Sequence, residues 1–457
     1  MKKYEKIYAD PAGKKVTLVT DAAGLVGATG AKKRVLLVGP ILTQTGYGEH
    51  TRFMYRALKS RPDLFDVFIM AIGWGNTGWI WEDNEERRQI DEDIGKTQFW
   101  LQKGGNFDTA MMVTIPNEWP EYRTRINATE YIGVTAGVET SKISHQWVQS
   151  TSAVSKILMT SEFSKKIFEQ AVYTYKHPHT GQEATDKVSV PMEVVNYPIK
   201  EYEKVDMGLE LSTKFNFLLV AQWGIRKNIE NTIRWFVEEF IDQDVGLVLK
   251  TAKLNGSQND KEMTINVLHS VLRDYPQRKC KVYLLHGYVS DAEVHSLYTH
   301  PKIKALVSLS HGEGFGLPLF EAAYSGLPVI THDWGGQTDF LTMEKKNKKG
   351  KITKKHLYAK VDYDLGPIQP EAAWGDILIA DSQWAYPNQG SFKMKLREVY
   401  KDYNRLKGQA RKLKKHLQEE FTAEKQYEKI VTAICDKEYM EMTQWFEELT
   451  EEAVEVA

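Results

Sequence analysis

Two glutamates, Glu313 and Glu321, stand eight positions apart around a glycine loop, in Ser310-His311-Gly312-Glu313-Gly314-Phe315-Gly316-Leu317-Pro318-Leu319-Phe320-Glu321. The apolar run 303–309 before them reads as a buried strand. Pro318 suits the first turn of a helix, where its missing N–H is no loss. The free amides around Gly314, Gly316 and Leu317 then form a helix N-terminus, which holds anions, and glycine lets a bulky ligand approach the backbone. A phosphate there, with Glu313 and Glu321 each facing a hydroxyl-rich group, is the chemistry of a nucleotide-sugar pocket. A second constellation follows the apolar run 215–221. There Arg226 and Lys227 stand at the mouth of a strand-to-helix loop. Two cations at such a mouth offset the charge of a diphosphate, and an arginine binds it bidentately. The plainer alternatives are a glycine-rich βα turn with solvent-facing carboxylates, and surface cations near a helix start.

The elements that must position these groups come from a chain of 457 residues, too long for one ordinary core and suited to two domains of roughly 200 residues each. A hydrophobic content of 42% with 26% charged residues is that of a soluble globular protein. The net charge of −1 gives no global field towards nucleic acid or membrane. Cys280 and Cys435 are too few for a disulfide framework, so a reducing compartment is expected. Met1-Lys2-Lys3-Tyr4-Glu5-Lys6 is followed by no apolar segment of a secretory signal, and no run approaches 18 apolar residues. A soluble, cytoplasmic protein is expected.

Residues 1–30 read as a polar N-terminal extension with an extra strand around Val16, Leu18 and Val19. A strand at 34–39 leads through Gly46 and Gly48, read as a loop, into a helical pattern and then a strand at 66–72. That order argues for a parallel Rossmann-like sheet, although the glycines lack the G-x-G-x-x-G spacing of a dinucleotide site. Further strands are expected at 109–114, 131–135 and 156–160, with Glu118 at the end of the first of these, pointing to the crevice. Residues 195–199 read as the connection to a second domain, with strands at 215–221, 245–250 and 282–286. His286 reads as a packed strand-end residue, and His311 is not assigned as a base. Residues 344–356, with seven lysines, read as a mobile basic loop. The chain is helical and charged from about 392 to 434, and its tail carries eight acidic residues with Trp445, Phe446 and Leu449 as docking points.

Glu313 and Glu321 with the intervening E-G-F-G-L-P-x-x-E pattern resemble the E-x7-E signature of the retaining glycosyltransferases of family four (glycosyl transferases group 1). The continuation Ala322-Ala323-Tyr324-Ser325-Gly326-Leu327-Pro328-Val329-Ile330 and the pair Gly335-Gly336 are similar to that family too. The resemblance covers residues 210–345 well and 34–170 more weakly. It implies a GT-B fold, two Rossmann-like domains facing across a cleft. The divisions are 1–30 as extension, 31–200 as acceptor domain, 201–400 as nucleotide-sugar donor domain, 401–435 as helices crossing back to the first domain, and 436–457 as acidic tail.

The same resemblance implies transfer of a sugar, UDP- or GDP-hexose being the expected donor, to a saccharide, lipid or other hydroxyl acceptor. Anomeric configuration would be retained. No cofactor or metal is expected beyond the nucleoside diphosphate sugar as co-substrate. Glu313, Lys227 and Arg226 would be catalytic, with Glu313 on donor-sugar hydroxyls and Glu321 on the ribose. Gly46, Gly48, Gly314, Phe315, Gly316 and Leu317 would line the donor, and Tyr288 and Val289 would hold the base. Glu118 and Glu139 are the acceptor candidates, Glu139 lying in Gly137-Val138-Glu139-Thr140, which with Trp147 is similar to bacterial members. Two departures stand out: Gln222 replaces the family's arginine, and no histidine lies between residues 110 and 140. They keep open glycosylation of modified DNA bases, or a GT-B protein that binds carbohydrate or nucleic acid without catalysis.

Overall fold

Apolar runs too continuous to alternate become parallel strands buried on both faces, as Val35, Leu36, Leu37 and Val38 are, each fully buried. The computed structural model describes residues 32–80, 82–176, 181–346, 352–436, 439–441 and 443. The expected extension with Val16, Leu18 and Val19, and the tail with Trp445, Phe446 and Leu449, lie outside the described residues. The first domain holds β1 (Lys33–Gly39), β2 (Phe65–Ala71), β3 (Phe107–Val113), β4 (Ala128–Thr135) and β5 (Lys156–Met159). Next come a hairpin of β6 (Val172–Lys176) and β7 (Glu183–Lys187), and then β8 (Met192–Val194). The sheet order is β2-β1-β3-β4-β5-β8, all parallel.

The second domain repeats the scheme with β9 (Asn216–Val220), β10 (Gly246–Lys250), β11 (Lys281–Leu285), β12 (Ile303–Val307) and β13 (Val329–Thr331). A hairpin of β14 (Thr342–Lys346) and β15 (Ile352–His356) precedes β16 (Ala359–Lys360), and the antiparallel pair β17 (Tyr363–Pro367) and β18 (Gln383–Pro387) follows. The parallel order here is β11-β10-β9-β12-β13-β16. Strand order reverses between β1 and β3 in one sheet and between β9 and β12 in the other. Ligands of such sheets bind outside the carboxyl ends of the strands at these reversals. The loops after β9 and β12, which carry Arg226, Lys227 and Glu313, leave the sheet at that point.

Two expectations change. Gly46 and Gly48 do not form a loop but open the helix Gly46–Lys59, capped by Thr45, whose hydroxyl accepts from the Gly48 amide at 2.9 Å. Gly48 is required there because a Cβ would stand 2.1 Å from the Thr43 carbonyl oxygen. The Lys-rich segment is no free loop in its described residues, which pair as β14 and β15; residues 347–351 lie outside them.

Three helices close the described chain, Gln389–Lys401, Tyr403–Glu420 and Ala423–Ile434. The middle one packs on the helix Leu317–Ser325, the last on the first domain's helix Gly46–Lys59. Lys33 and Lys156 donate to the carbonyls of Ile434 and Ala433 at 2.8 and 2.9 Å, satisfying acceptors that a helix C-terminus leaves open. The backbone therefore passes between the domains twice, near residues 195–215 and again at Phe421, where Ile199 N–H donates to the Phe421 carbonyl at 2.8 Å. A row of rings joins the domains at this crossing: Phe53 to Tyr197, Tyr197 to Phe315, Phe315 to Phe320 and Phe320 to Phe421, with centroids 5.1–5.5 Å apart.

Candidate functional site

After β9 the chain makes a 3-10 turn, Ile225–Lys227, and enters the helix Ile229–Glu239 through Asn228 at φ 51°. Asparagine tolerates this left-handed conformation better than most residues. The loop after β12 is pinned to that turn, since His311 N–H donates to the Arg226 carbonyl at 2.7 Å and Ser310 Oγ lies 3.3 Å from the same carbonyl. From the other side Gly336 N–H donates to the Glu313 carbonyl at 2.7 Å. This contact explains the paired glycines: a Cβ on Gly336 would lie 1.9 Å from Gly314 O, and Gly335 sits at φ +126°.

Four charged side chains meet here. Lys227 Nζ lies 2.5 Å from Glu313 Oε1, and Arg226 Nη1 lies 3.4 Å from Glu313 Oε2. Arg226 also reaches the other domain, with Nη2 2.8 Å from Glu139 Oε1, while its Nη1 donates to the Gly312 carbonyl at 2.6 Å. Burial pushes the Glu313 carboxyl up, but Lys227 and Arg226 outweigh it and hold its pKa down at about 2. Burial lowers Lys227, and Arg226 beside it lowers it further. For Arg226 burial is outweighed by Glu139 and Glu313, so it stays firmly charged. Two cations and two carboxylates thus cancel within one half-buried group.

Glu321 belongs to a different environment. It lies in the helix Leu317–Ser325, and its Oε2 accepts from the Tyr298 hydroxyl at 2.8 Å. Burial raises its pKa to about 7, and Asp291 and Glu49 add to the rise. Gly316, at φ 94°, is the cap of that helix and Leu317 its first residue. Gly314 presses on the first domain: Ser161 Oγ donates to its carbonyl at 2.6 Å, and a Cβ would meet Ala136 O at 2.4 Å. The Phe315 ring is buried among Tyr197, Phe320 and Phe340.

The remaining sequence candidates are spread out. Tyr288 and Val289 follow β11, and the Tyr288 hydroxyl donates to Glu82 of the first domain. Gly46 O accepts from the Tyr197 hydroxyl at 3.4 Å. Glu118 lies in the turn Pro116–Glu118 beyond β3, with its pKa raised by burial and by Glu121 and with Oε2 unpartnered. Gln222 donates to the Lys253 carbonyl at 3.2 Å. His311 is packed, with Nδ1 2.6 Å from the Ala385 carbonyl and its ring 4.9 Å from Trp384; burial takes its pKa down to about 4. Sequence reasoning noted the run from Ser161 as similar to bacterial family members but not its bond to Gly314, and it missed the β17–β18 pair; no spacing signal links either to the glutamate loop. Among the described residues no group of three or more His, Cys, Asp or Glu could hold a metal ion, and no helix is long and apolar enough to cross a membrane.

Residues 279–360 match the family model of glycosyl transferases group 1. Over 119 residues the chain is 44% identical to the serotype-specific mannosyltransferase WbdA of Escherichia coli, a stretch that is 26% of this chain and 13% of that protein. The fold is similar to that of sucrose-phosphate synthase from Thermosynechococcus elongatus, at TM-score 0.57 and 13% identity over 92% of this chain and 100% of that one. It is similar also to a glycosyltransferase from Rickettsia africae, at TM-score 0.56 and 12% identity over 89% and 99% of the two chains. For HepE of Anabaena, solved in complex with UDP and glucose, the values are 0.55, 11%, 88% and 99%. The two facing Rossmann-like sheets are the GT-B fold.

Proposed function

We propose that this chain is a retaining, metal-independent glycosyltransferase that moves a hexosyl unit from a UDP- or GDP-hexose to the hydroxyl of a saccharide, lipid or other acceptor. The observation that carries the reading is the pairing of Lys227 and Arg226 with Glu313 where the second sheet reverses its strand order. The match of residues 279–360 to glycosyl transferases group 1 supports it. An arriving diphosphate competes for both cations and releases the Glu313 and Glu139 carboxylates. Glu313 is then free to accept donor-sugar hydroxyls, and Glu321 takes the ribose. As the bond from the anomeric carbon to the phosphate breaks, charge grows on the leaving diphosphate, where Lys227, Arg226 and the amides opening the helix Leu317–Ser325 stabilise it. The leaving phosphate accepts the proton of the acceptor hydroxyl, whose oxygen bonds the anomeric carbon from the same face.

The test is incubation with UDP-glucose, UDP-galactose, UDP-N-acetylglucosamine and GDP-mannose, reading nucleoside diphosphate release. WbdA's name makes mannose the first sugar to try. One donor should be hydrolysed slowly without acceptor and transferred with one, with activity surviving EDTA and an unchanged anomeric configuration by NMR. Loss in EDTA with recovery in Mn²⁺ removes the metal-independent part. No turnover of any donor would return the protein to the non-catalytic class.

A further inference from the structure

The segment Tyr363–Pro387, made of β17, β18 and the residues between, follows directly on the residues that match the family model. Its base is tied beside the reaction centre, because Ala385 N–H donates to the His311 carbonyl at 2.9 Å and Trp384 stacks on the His311 ring. Its turn Pro370–Ala372 packs against the turn Ile225–Lys227. The arm then reaches the first domain. Ser141 N–H donates to the Gln383 carbonyl at 2.8 Å, Gln383 N–H returns a bond to Ser141 Oγ at 2.9 Å, and Lys142 Nζ lies 2.7 Å from Asp381. Ile377 packs on the first domain's cluster around Met112, Trp119 and Val138.

Between these anchors Trp374 is 67% exposed. It is not on a loose tail: its N–H donates to the Leu378 carbonyl at 3.0 Å, and its carbonyl accepts from Ile377 at 3.0 Å. Only Ala373 lies between it and Ala372, about 7 Å of chain at most from the turn that packs against Ile225–Lys227. The arm carries Asp364, Glu371, Asp376 and Asp381 and no Lys, Arg or His. An indole offers a flat face of negative potential to the C–H face of a sugar ring, and exposed carboxylates accept its hydroxyls. The same carboxylates repel a phosphodiester backbone, whose binding depends on cations.

We propose that this arm is an acceptor subsite for a neutral saccharide, with Trp374 as its stacking platform. The proposal rests on the glycosyl-transfer reading and selects a saccharide among the acceptors left open by it.

The test uses the full chain as wild type, Trp374→Ala and Trp374→Phe. Saturation-transfer NMR and calorimetry with mannotriose and maltotriose are set beside a single-stranded oligonucleotide. Affinity for at least one saccharide should fall about tenfold in Trp374→Ala, the scale of losing a stacking aromatic, and be mostly kept in Trp374→Phe. The ratio of transfer to donor hydrolysis should fall in parallel. Wild-type protein that binds neither saccharide at millimolar concentration overturns the proposal. So does saccharide binding indifferent to Trp374→Ala, or oligonucleotide binding that depends on Trp374. Donor hydrolysis on the same samples separates the two readings: turnover without saccharide binding sinks the arm alone, and Trp374-dependent binding without turnover sinks glycosyl transfer alone.

Discussion

Lys227 and Glu313 sit 2.5 Å apart in a group from which water is largely excluded, so each charge is held by the other rather than by solvent. Lys227→Ala should remove roughly 2–4 kcal/mol of transition-state stabilisation, about two orders of magnitude in kcat, and steady-state assays with the donor found above would read it. Near-wild-type kcat would take Lys227 out of the mechanism. The two glutamates should also titrate in opposite senses. Glu321, raised to about 7, binds in the folded state a proton that the unfolded chain has already released, so its contribution to stability is full below about 4.5 and is lost as pH rises through 7. Glu313, lowered to about 2, contributes above 4.5 and loses that contribution as pH falls towards 2. Glu321→Gln, always neutral, should therefore gain on wild type in urea midpoint between pH 5 and pH 8; parallel curves would contradict the raised value. The types and spacing of Glu313, Glu321, Arg226 and Lys227 were readable as chemistry. The Arg226–Glu139 contact was not, because it joins loops of different domains and no local pattern encodes it.

Among the elements, the glycine loop after β12 shows how little room the joint between domains leaves. Gly314→Ala would drive a Cβ to 2.4 Å from the Ala136 carbonyl, a backbone atom that cannot step aside. That variant should separate the loop from the first domain. The expected result is a larger radius of gyration in X-ray scattering and kcat lowered at least tenfold, and an unchanged radius with normal kcat would show that the loop yields instead. The buried parallel strands were legible because burial on both faces writes an unbroken apolar run, as in β1, β9 and β12. The β14–β15 and β17–β18 hairpins were not. Lysines dominate one and prolines and glycine interrupt the other, so neither shows the alternation by which a half-buried strand is recognised. The helix Gly46–Lys59 was misread at its start because glycine is a poor helix former, and the Thr45 cap with its close neighbour Thr43 decided the matter.

Across the whole molecule, the helix Ala423–Ile434 belongs by sequence to the end of the described chain and by packing to the first domain. Ile430 on it is fully buried. Ile430→Ala should cost about 2–5 kcal/mol, and because this helix joins the domains, urea unfolding should remain one transition at a lower midpoint. Two separated transitions, with only the first domain shifted, would mean that the helix does not couple them. Its charged, amphipathic pattern announced a helix, and the family resemblance implied a crossing back to the first domain; neither named the helix Gly46–Lys59 on which it docks.

The backbone's two passages between the domains lie side by side, bonded through Ile199 and Phe421. A joint made of adjoining connections lets the domains swing but resists sliding, much as a door turns on its pins. Tyr197 and Phe315 stand at the pins, Phe315 two residues along the chain from Glu313. A swing about this joint would part the contacts of Arg226 with Glu139, Tyr288 with Glu82, Ser141 with Gln383 and Lys142 with Asp381. The arm carrying Trp374 is thus bonded to both domains, at His311 on one side and at Ser141 and Lys142 on the other.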